Sequence, residues 1–308
     1  MSQPQPVFDR YLRAAKAPAT LRAYESDWRH FAEWCLANSV SCLPALPETV
    51  ALYLGDSGQT LRPSTLNRRL ISINKAHRAA GHPPPALPGH PLVGETLKGI
   101  RRVHGTAPSA KHPLFTDDLR RMVHTLPGNP IGLRDRALLL LGFAGAFRRS
   151  ELARLEIAHL RETAEGLLVH IPRSKTDQEG RGREVAIPYG ADPTTCPVRA
   201  CREWIAAASL SAGPIFRRID RHGHINSRPL HKDSIGLMVK RAALAAGLDP
   251  RLYAGHSLRA GFCTQAYSNG AREFDIMRQT GHRSLETLRR YVRGRGLFRD
   301  NPAAKLGL

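Results

Sequence analysis

The sequence has no Cys-x-x-Cys pair, no His-Glu-x-x-His and no Gly-x4-Gly-Lys-Ser/Thr loop. The first two absences remove the common zinc sites. The third removes the phosphate cradle of an ATP-driven enzyme. No cluster of carboxylates suggests a two-metal nuclease, so neither a metal nor a cofactor is expected. Cysteine is sparse: Cys35, Cys42, Cys196, Cys201 and Cys263 are odd in number and irregularly spaced, which fits free thiols in a reducing compartment. The first residues, MSQPQPVFDRYLR, carry no apolar signal core, and the longest apolar run, Ala137 to Leu141, is too short for a bilayer. A cytoplasmic, nucleoid-associated protein without a membrane partner is expected. No internal repeat is visible.

Acidic residues are also in short supply. Asp plus Glu total 26 against 46 Lys plus Arg, a formal charge of +20 over 308 residues. Such an excess favours a polyanionic partner, because each neutralised phosphate releases condensed counterions. The excess is not confined to a tail: residues 1–105 hold 13 basic and 7 acidic side chains, and the remainder 33 and 19. Both halves are expected to touch DNA.

The chain reads as two domains and mostly α. Residues 1–103 are expected to form a helical domain. Thr20 would cap a helix whose stripe is Leu21, Tyr24, Trp28, Phe31 and Cys35. Pro63 and Ser64 would open another, burying Leu66, Leu70 and Ile73. Its remaining faces carry Arg68, Arg69 and Lys75, expected DNA contacts along with Arg173 further on. A third helix is expected from Leu92 to Val103, after the proline-rich loop 82–91. Residues 104–113, small and turn-rich, form the expected linker. Residues 114–308 would be an α/β domain. Helices are expected over 114–126, 133–143, 233–248, 257–269, 272–280 and 284–291. Leu167, Val169 and Ile171, then Val185 and Ile187, alternate around the polar stretch 174–182, which predicts an antiparallel hairpin.

Four local signals carry chemistry. Arg148 stands in Gly-Ala-Phe-Arg-Arg-Ser-Glu-Leu, after a very apolar helix. Lys175 sits at the hairpin tip. His256 and Arg259 share one helix face at i and i+3, so imidazole and guanidinium can converge on one phosphate. His282 follows Gly281 and precedes Tyr291 by nine residues. The close pair His222 and His224 lacks accompanying metal ligands and reads as a polar loop.

The ordered set Arg…Lys…His-x-x-Arg…Gly-His-x8-Tyr resembles the tyrosine recombinase, or phage integrase, family. The likeness is close over residues 114–295 and looser over the helical N-terminal half, which resembles that family's core-binding domain. The resemblance implies a catalytic set of Arg148, Lys175, His256, Arg259, His282 and the nucleophile Tyr291, with Glu151 orienting a neighbour. Between Arg148 and Arg149, the family's spacing to Ser-Glu-Leu selects Arg148. It implies DNA cleavage and rejoining through a 3′-phosphotyrosine and a Holliday junction, in integration, excision or resolution. The partners implied are a double-stranded DNA site and, on two such sites, a homo-tetramer of chains that are monomers when free. The tail after Tyr291, with Leu297, Phe298, Leu306 and Leu308, is expected to dock on a neighbouring protomer. With the first helices starting near residue 6, no extra arm-binding domain is expected. Two alternatives stay open: a type IB topoisomerase-like relaxing enzyme, and an inactive DNA-binding protein.

Overall fold

The structure is a computed structural model and describes residues 17–87, 89–106, 111–172, 182–292 and Leu306. The chain divides into two compact units, Met1–Ser109 and Ala110–Leu308.

Among the described residues the first unit has four helices: α1 (Pro18–Ala37), α2 (Pro47–Gly58), α3 (Pro63–Ala79) and α4 (Pro91–His104). Each opens on a proline, as do two later helices beginning at Pro130 and Pro197. Proline suits a first helical position because its missing N–H has no intrahelical partner there. Hence α1 starts at Pro18 with Ala17 as its cap, and Thr20 lies inside the helix rather than before it. α1 packs on α3 and α2 on α4, enclosing Phe31, Tyr53, Leu54, Leu66, Ile73 and Val93. Phe31 and Tyr53 meet edge to face at 5.0 Å. Each such buried side chain stabilises the unit by roughly 1.5–3 kcal/mol. α2 was not foreseen.

One expected DNA contact is corrected here. Arg69 is buried, donating from Nη1 to the Tyr53 hydroxyl at 2.7 Å and lying 2.9 Å from His30 Nδ1. Its burial ties it to the aromatic core and takes it off the surface. Arg68 is half exposed and clasps the buried Asp27 with two bonds of 2.7 and 2.9 Å. Lys75 lies over the Tyr24 ring, 4.2 Å from its centre.

The second unit is built on α6 (Pro130–Ala144), preceded by α5 (Thr116–His124). Ala137 to Leu141 are all buried, which makes α6 a central rather than an amphipathic helix. α8 (Pro197–Ala207) packs along it, and the short α7 (Arg149–Leu152) follows it in the chain. The sheet has three antiparallel strands in the order β1 (Leu160–Thr163), β2 (Gly166–Ile171), β3 (Arg183–Pro188). Val169 pairs with Val185 and Leu167 with Ile187, so the alternating residues share the buried face. The hairpin expectation thus matches these two strands, while its tip, with Lys175 and Arg173, lies outside the described residues. A second hairpin, β4 (Arg217–Ile219) and β5 (Ile225–Pro229), carries His222 and His224 in its turn. There Asp220 is 3.1 Å from His224, and no group of metal-ligating side chains occurs among the described residues. β1, α8 and this hairpin were not foreseen.

The last described helices are α9 (Lys232–Ala245), α10 (His256–Ser268), α11 (Glu273–Thr280) and α12 (Leu285–Val292). α10 packs on α6, α11 and α12. The stretch expected as linker is not uniform: His104 is still helical, while the backbone N–H groups of His112 and Leu114 bond to Leu252 and Ser257 of the second unit. All five cysteines carry free thiols, four of them buried. No described helix is long and apolar enough to cross a membrane.

Candidate active site

Three stretches of the second unit bring charged and aromatic side chains to one spot: the α6–α7 junction, the start of α10, and α11 through α12. At the first, Ala146 is buried with φ of 48°. A left-handed alanine costs roughly 1–2 kcal/mol, and here its carbonyl accepts a 2.8 Å bond from Arg259 Nη1. Arg148, next but one, is turned inward. Glu151 accepts from the Arg148 backbone N–H at 2.9 Å and from its Nη1 at 2.7 Å. Arg149 points the other way, half exposed and 3.5 Å from Asp233. Of the adjacent arginines, Arg148 bonds Glu151, while Arg149 pairs with Asp233 and reaches His256 through its charge.

Arg259 is only 1% exposed, and its Nη2 is buried without a hydrogen-bond partner among the described residues. Burial and the neighbouring Arg148 both pull its pKa down. A buried guanidinium with an unused donor is costly unless an acceptor arrives.

His282 is nearly buried, and its pKa is pushed down to about 3 by burial first and then by Arg259 and Arg148. It is neutral at physiological pH. Thr280 Oγ1 donates to the Ile276 carbonyl at 2.7 Å and lies 2.9 Å from His282 Nδ1. Where the hydroxyl proton is given to that carbonyl, Nδ1 carries the hydrogen and Nε2 is the bare, proton-accepting nitrogen. His256 is likewise held below its ordinary pKa, by partial loss of water and then by Arg259.

Tyr291 sits between the two imidazoles, its ring centre 5.1 Å from that of His282 and 5.4 Å from that of His256. Its backbone carbonyl accepts from Thr264 of α10, at 3.0 Å. Leu288, Ile276 and Cys263 pack beneath the ring. The turn that allows this meeting uses Gly281, whose φ is 68°.

Of the expected catalytic residues, Arg148, His256, Arg259, His282 and Tyr291 come together with Glu151. Lys175 and Arg173 fall outside the described residues, and Arg68 and Lys75 belong to the other unit. Sequence reasoning missed Arg183. It heads β3, donates to Glu151 at 3.3 Å and to the Gln279 carbonyl at 2.8 Å, and is largely buried. A signal existed: Arg183 falls in phase with Val185 and Ile187, a charge on the buried face of an alternating strand.

Two arginines, two histidines and a tyrosine gather around one carboxylate, an arrangement able to hold a phosphate beside a phenol. Residues 113–295 match the model of the phage integrase family, and residues 7–82 that of the phage integrase N-terminal SAM-like domain. The chain belongs to the phage integrase family of tyrosine recombinases. It is 40% identical to an integrase/recombinase XerD homolog of Selenomonas ruminantium, over 95% of this chain and 86% of that protein. It is 26% identical to the recombinase Cre of Escherichia phage P1, over 91% and 85%. The fold is that of the Tn1549 transposon integrase solved with transposon right end DNA. That likeness has a TM-score of 0.64 at 15% identity and covers 92% of both chains.

Proposed function

We propose that the chain is a site-specific DNA recombinase that cleaves and rejoins its target through a covalent tyrosine intermediate. The observation that carries this is the Tyr291 ring held between His256 and His282 beside the Arg148–Arg259 pair. Tyr291 Oη attacks the scissile phosphorus, forming a 3′-phosphotyrosyl bond as the bond to the 5′ oxygen breaks. The phenolic proton passes to the bare Nε2 of His282. A bound phosphate offsets the arginine charges that depress this imidazole and so raises its basicity. Lys175 donates the proton that the leaving 5′ oxygen needs. Arg148 and Arg259 hold the non-bridging oxygens, where charge grows in the transition state. The bond energy stays in the ester, so rejoining is the same step reversed and requires no ATP.

DNA is the substrate, and both basic units contact it, Arg68, Lys75 and Arg173 among the grips. Structural relatives include a lambda integrase tetramer bound to a Holliday junction. A homo-tetramer on two sites is the proposed working form here, with the tail from residue 297 docking on a neighbour. Work in the cytoplasm, on the nucleoid, follows from that substrate.

The test is Tyr291→Phe on a nicked suicide duplex carrying the site mapped by footprinting DNA that flanks the gene. Site binding near wild type with no protein-linked DNA on a denaturing gel is the expected result. An adduct that persists overturns the assignment, and relaxation of plasmids lacking the site would move the chain to the topoisomerase class.

A further inference from the structure

Arg183 has no part in the mechanism above, yet it is built into the centre. Its stem passes Gly281, where an added Cβ would lie 3.0 Å from Nε and 3.2 Å from Cδ. The glycine before His282 therefore also clears the path by which Arg183 reaches Glu151. The far end of the side chain is anchored twice, on Glu151 and on the Gln279 carbonyl. Gln279 is itself pinned, its Nε2 donating at 3.0 Å to the carbonyls of Ala144 on α6 and Ala186 on β3. Arg183 Nε is buried with no hydrogen-bond partner among the described residues. Burial pulls its pKa down, Arg259 and Arg148 pull it further, and Glu151 alone opposes them.

The charge count is informative. Arg148, Arg183 and Arg259 surround a single carboxylate, Glu151, and His282 is neutral. Among the described residues, and before the phenolic proton moves, two positive charges are left uncompensated. A phosphodiester carries one negative charge, while the five-coordinate transition state of its transfer carries two. Arg183 thus adds positive charge that favours the dianionic transition state over the monoanionic ground state.

We propose that Arg183 is a positioning residue that acts from behind Glu151, fixing that carboxylate and supplying the second positive charge that favours the dianionic transition state. The inference rests on the recombinase reading of the same site. Arg183 stays on Glu151 and Gln279 rather than touching the phosphate, and its effect reaches the reacting oxygens through Arg148 and the local field.

The experiment compares two suicide duplexes that differ only at the scissile group, one a phosphodiester and one a methylphosphonate. Replacing a non-bridging oxygen by methyl lowers the transition-state charge from two to one. With the full chain, Arg183→Gln should slow single-turnover cleavage of the phosphodiester by on the order of 10²-fold, with site affinity unchanged. On the methylphosphonate the loss should shrink to about threefold or less. Arg183→Lys, which keeps the charge, should stay within about tenfold of wild type on the phosphodiester. A purely structural role would slow both substrates equally, so equal losses overturn the inference. So does an undiminished rate on the phosphodiester, or a methylphosphonate that neither protein cleaves. No adduct from the wild type on either duplex would instead overturn the recombinase reading itself, and this inference with it.

Discussion

Replacing Glu151 by glutamine removes one charge and almost no volume from the centre. The side chain is 2% exposed and accepts from the Arg148 backbone, Arg148 Nη1 and Arg183 Nη2 at 2.9, 2.7 and 3.3 Å. A carboxamide has a single acceptor oxygen, so its NH2 must face a guanidinium donor. The two shortest bonds fall on different oxygens, so the amide keeps one of them; hydrogen bonds to charged groups contribute about 1.5–3 kcal/mol each, and losing one or two costs about 1.5–6 kcal/mol. Breaking a buried ion pair by removing one partner gives a similar 3–5 kcal/mol, roughly. For a unit spanning Ala110–Leu308, each kcal/mol lowers Tm by about 2–4 °C, so Glu151→Gln should melt about 6–20 °C below wild type. Calorimetry of the full chain can follow this transition. Inorganic phosphate should restore part of the loss, since an anion supplies the missing negative charge. Asp117→Asn is the control: its pair with Arg120 is 90% exposed on the Asp117 side and contributes little. A Glu151→Gln shift no larger than the control's would refute the view that this carboxylate holds the arginines.

Arg148→Lys keeps a charge but loses the planar fork, so cleavage should fall by orders of magnitude while site affinity changes little; greater damage from Arg149→Lys would mean the wrong arginine had been chosen. His282 has a lowered pKa in the fold, about 3, so as pH drops below about 6.5 the unfolded chain takes up a proton that the folded one refuses. Stability should therefore be full above that pH and decline between about 6.5 and 3. In urea titrations His282→Gln should flatten that slope by about 1 kcal/mol per pH unit, and an identical slope would contradict the neutral-histidine assignment. Lys175→Ala should be rescued by a substrate with sulfur at the 5′-bridging position, because a thiolate leaves without a proton. Equal inactivity on the sulfur substrate would give Lys175 another role.

The central helix and the site were readable for different reasons. α6 announced itself by an unbroken apolar run, and β2 and β3 by strict alternation, because burial on one face leaves a period in the sequence. β1 and β4 did not, since short strands of three or four residues hold too few periods to register. α2 hid because it follows a turn-rich stretch and exposes Leu52 while burying Tyr53 and Leu54. Among site residues, Arg148, His256, Arg259, His282 and Tyr291 were legible through their order and spacing. Arg69 misled: basic residues on a helix usually point outward, yet a tyrosine hydroxyl and an imidazole gave this one partners inside. Arg183 and Thr280 act on neighbours through the fold, and no motif spacing encodes a contact between β3 and α7.

The prolines that begin Pro18, Pro47, Pro63, Pro91, Pro130 and Pro197 helices work as hard upstream stops. Proline lacks the donor to extend a helix backwards, and it biases the preceding residue to extended backbone. Lengthening the connection ahead of any of them should leave the helix's first turn, and so the side of the bundle each residue faces, where it was. Insertions and deletions during the divergence of such chains can then accumulate in the connections without rotating the helices. At α6 the same stop protects the phase of the chain running into Arg148. Loop length can thus change while Arg148 keeps its bearing.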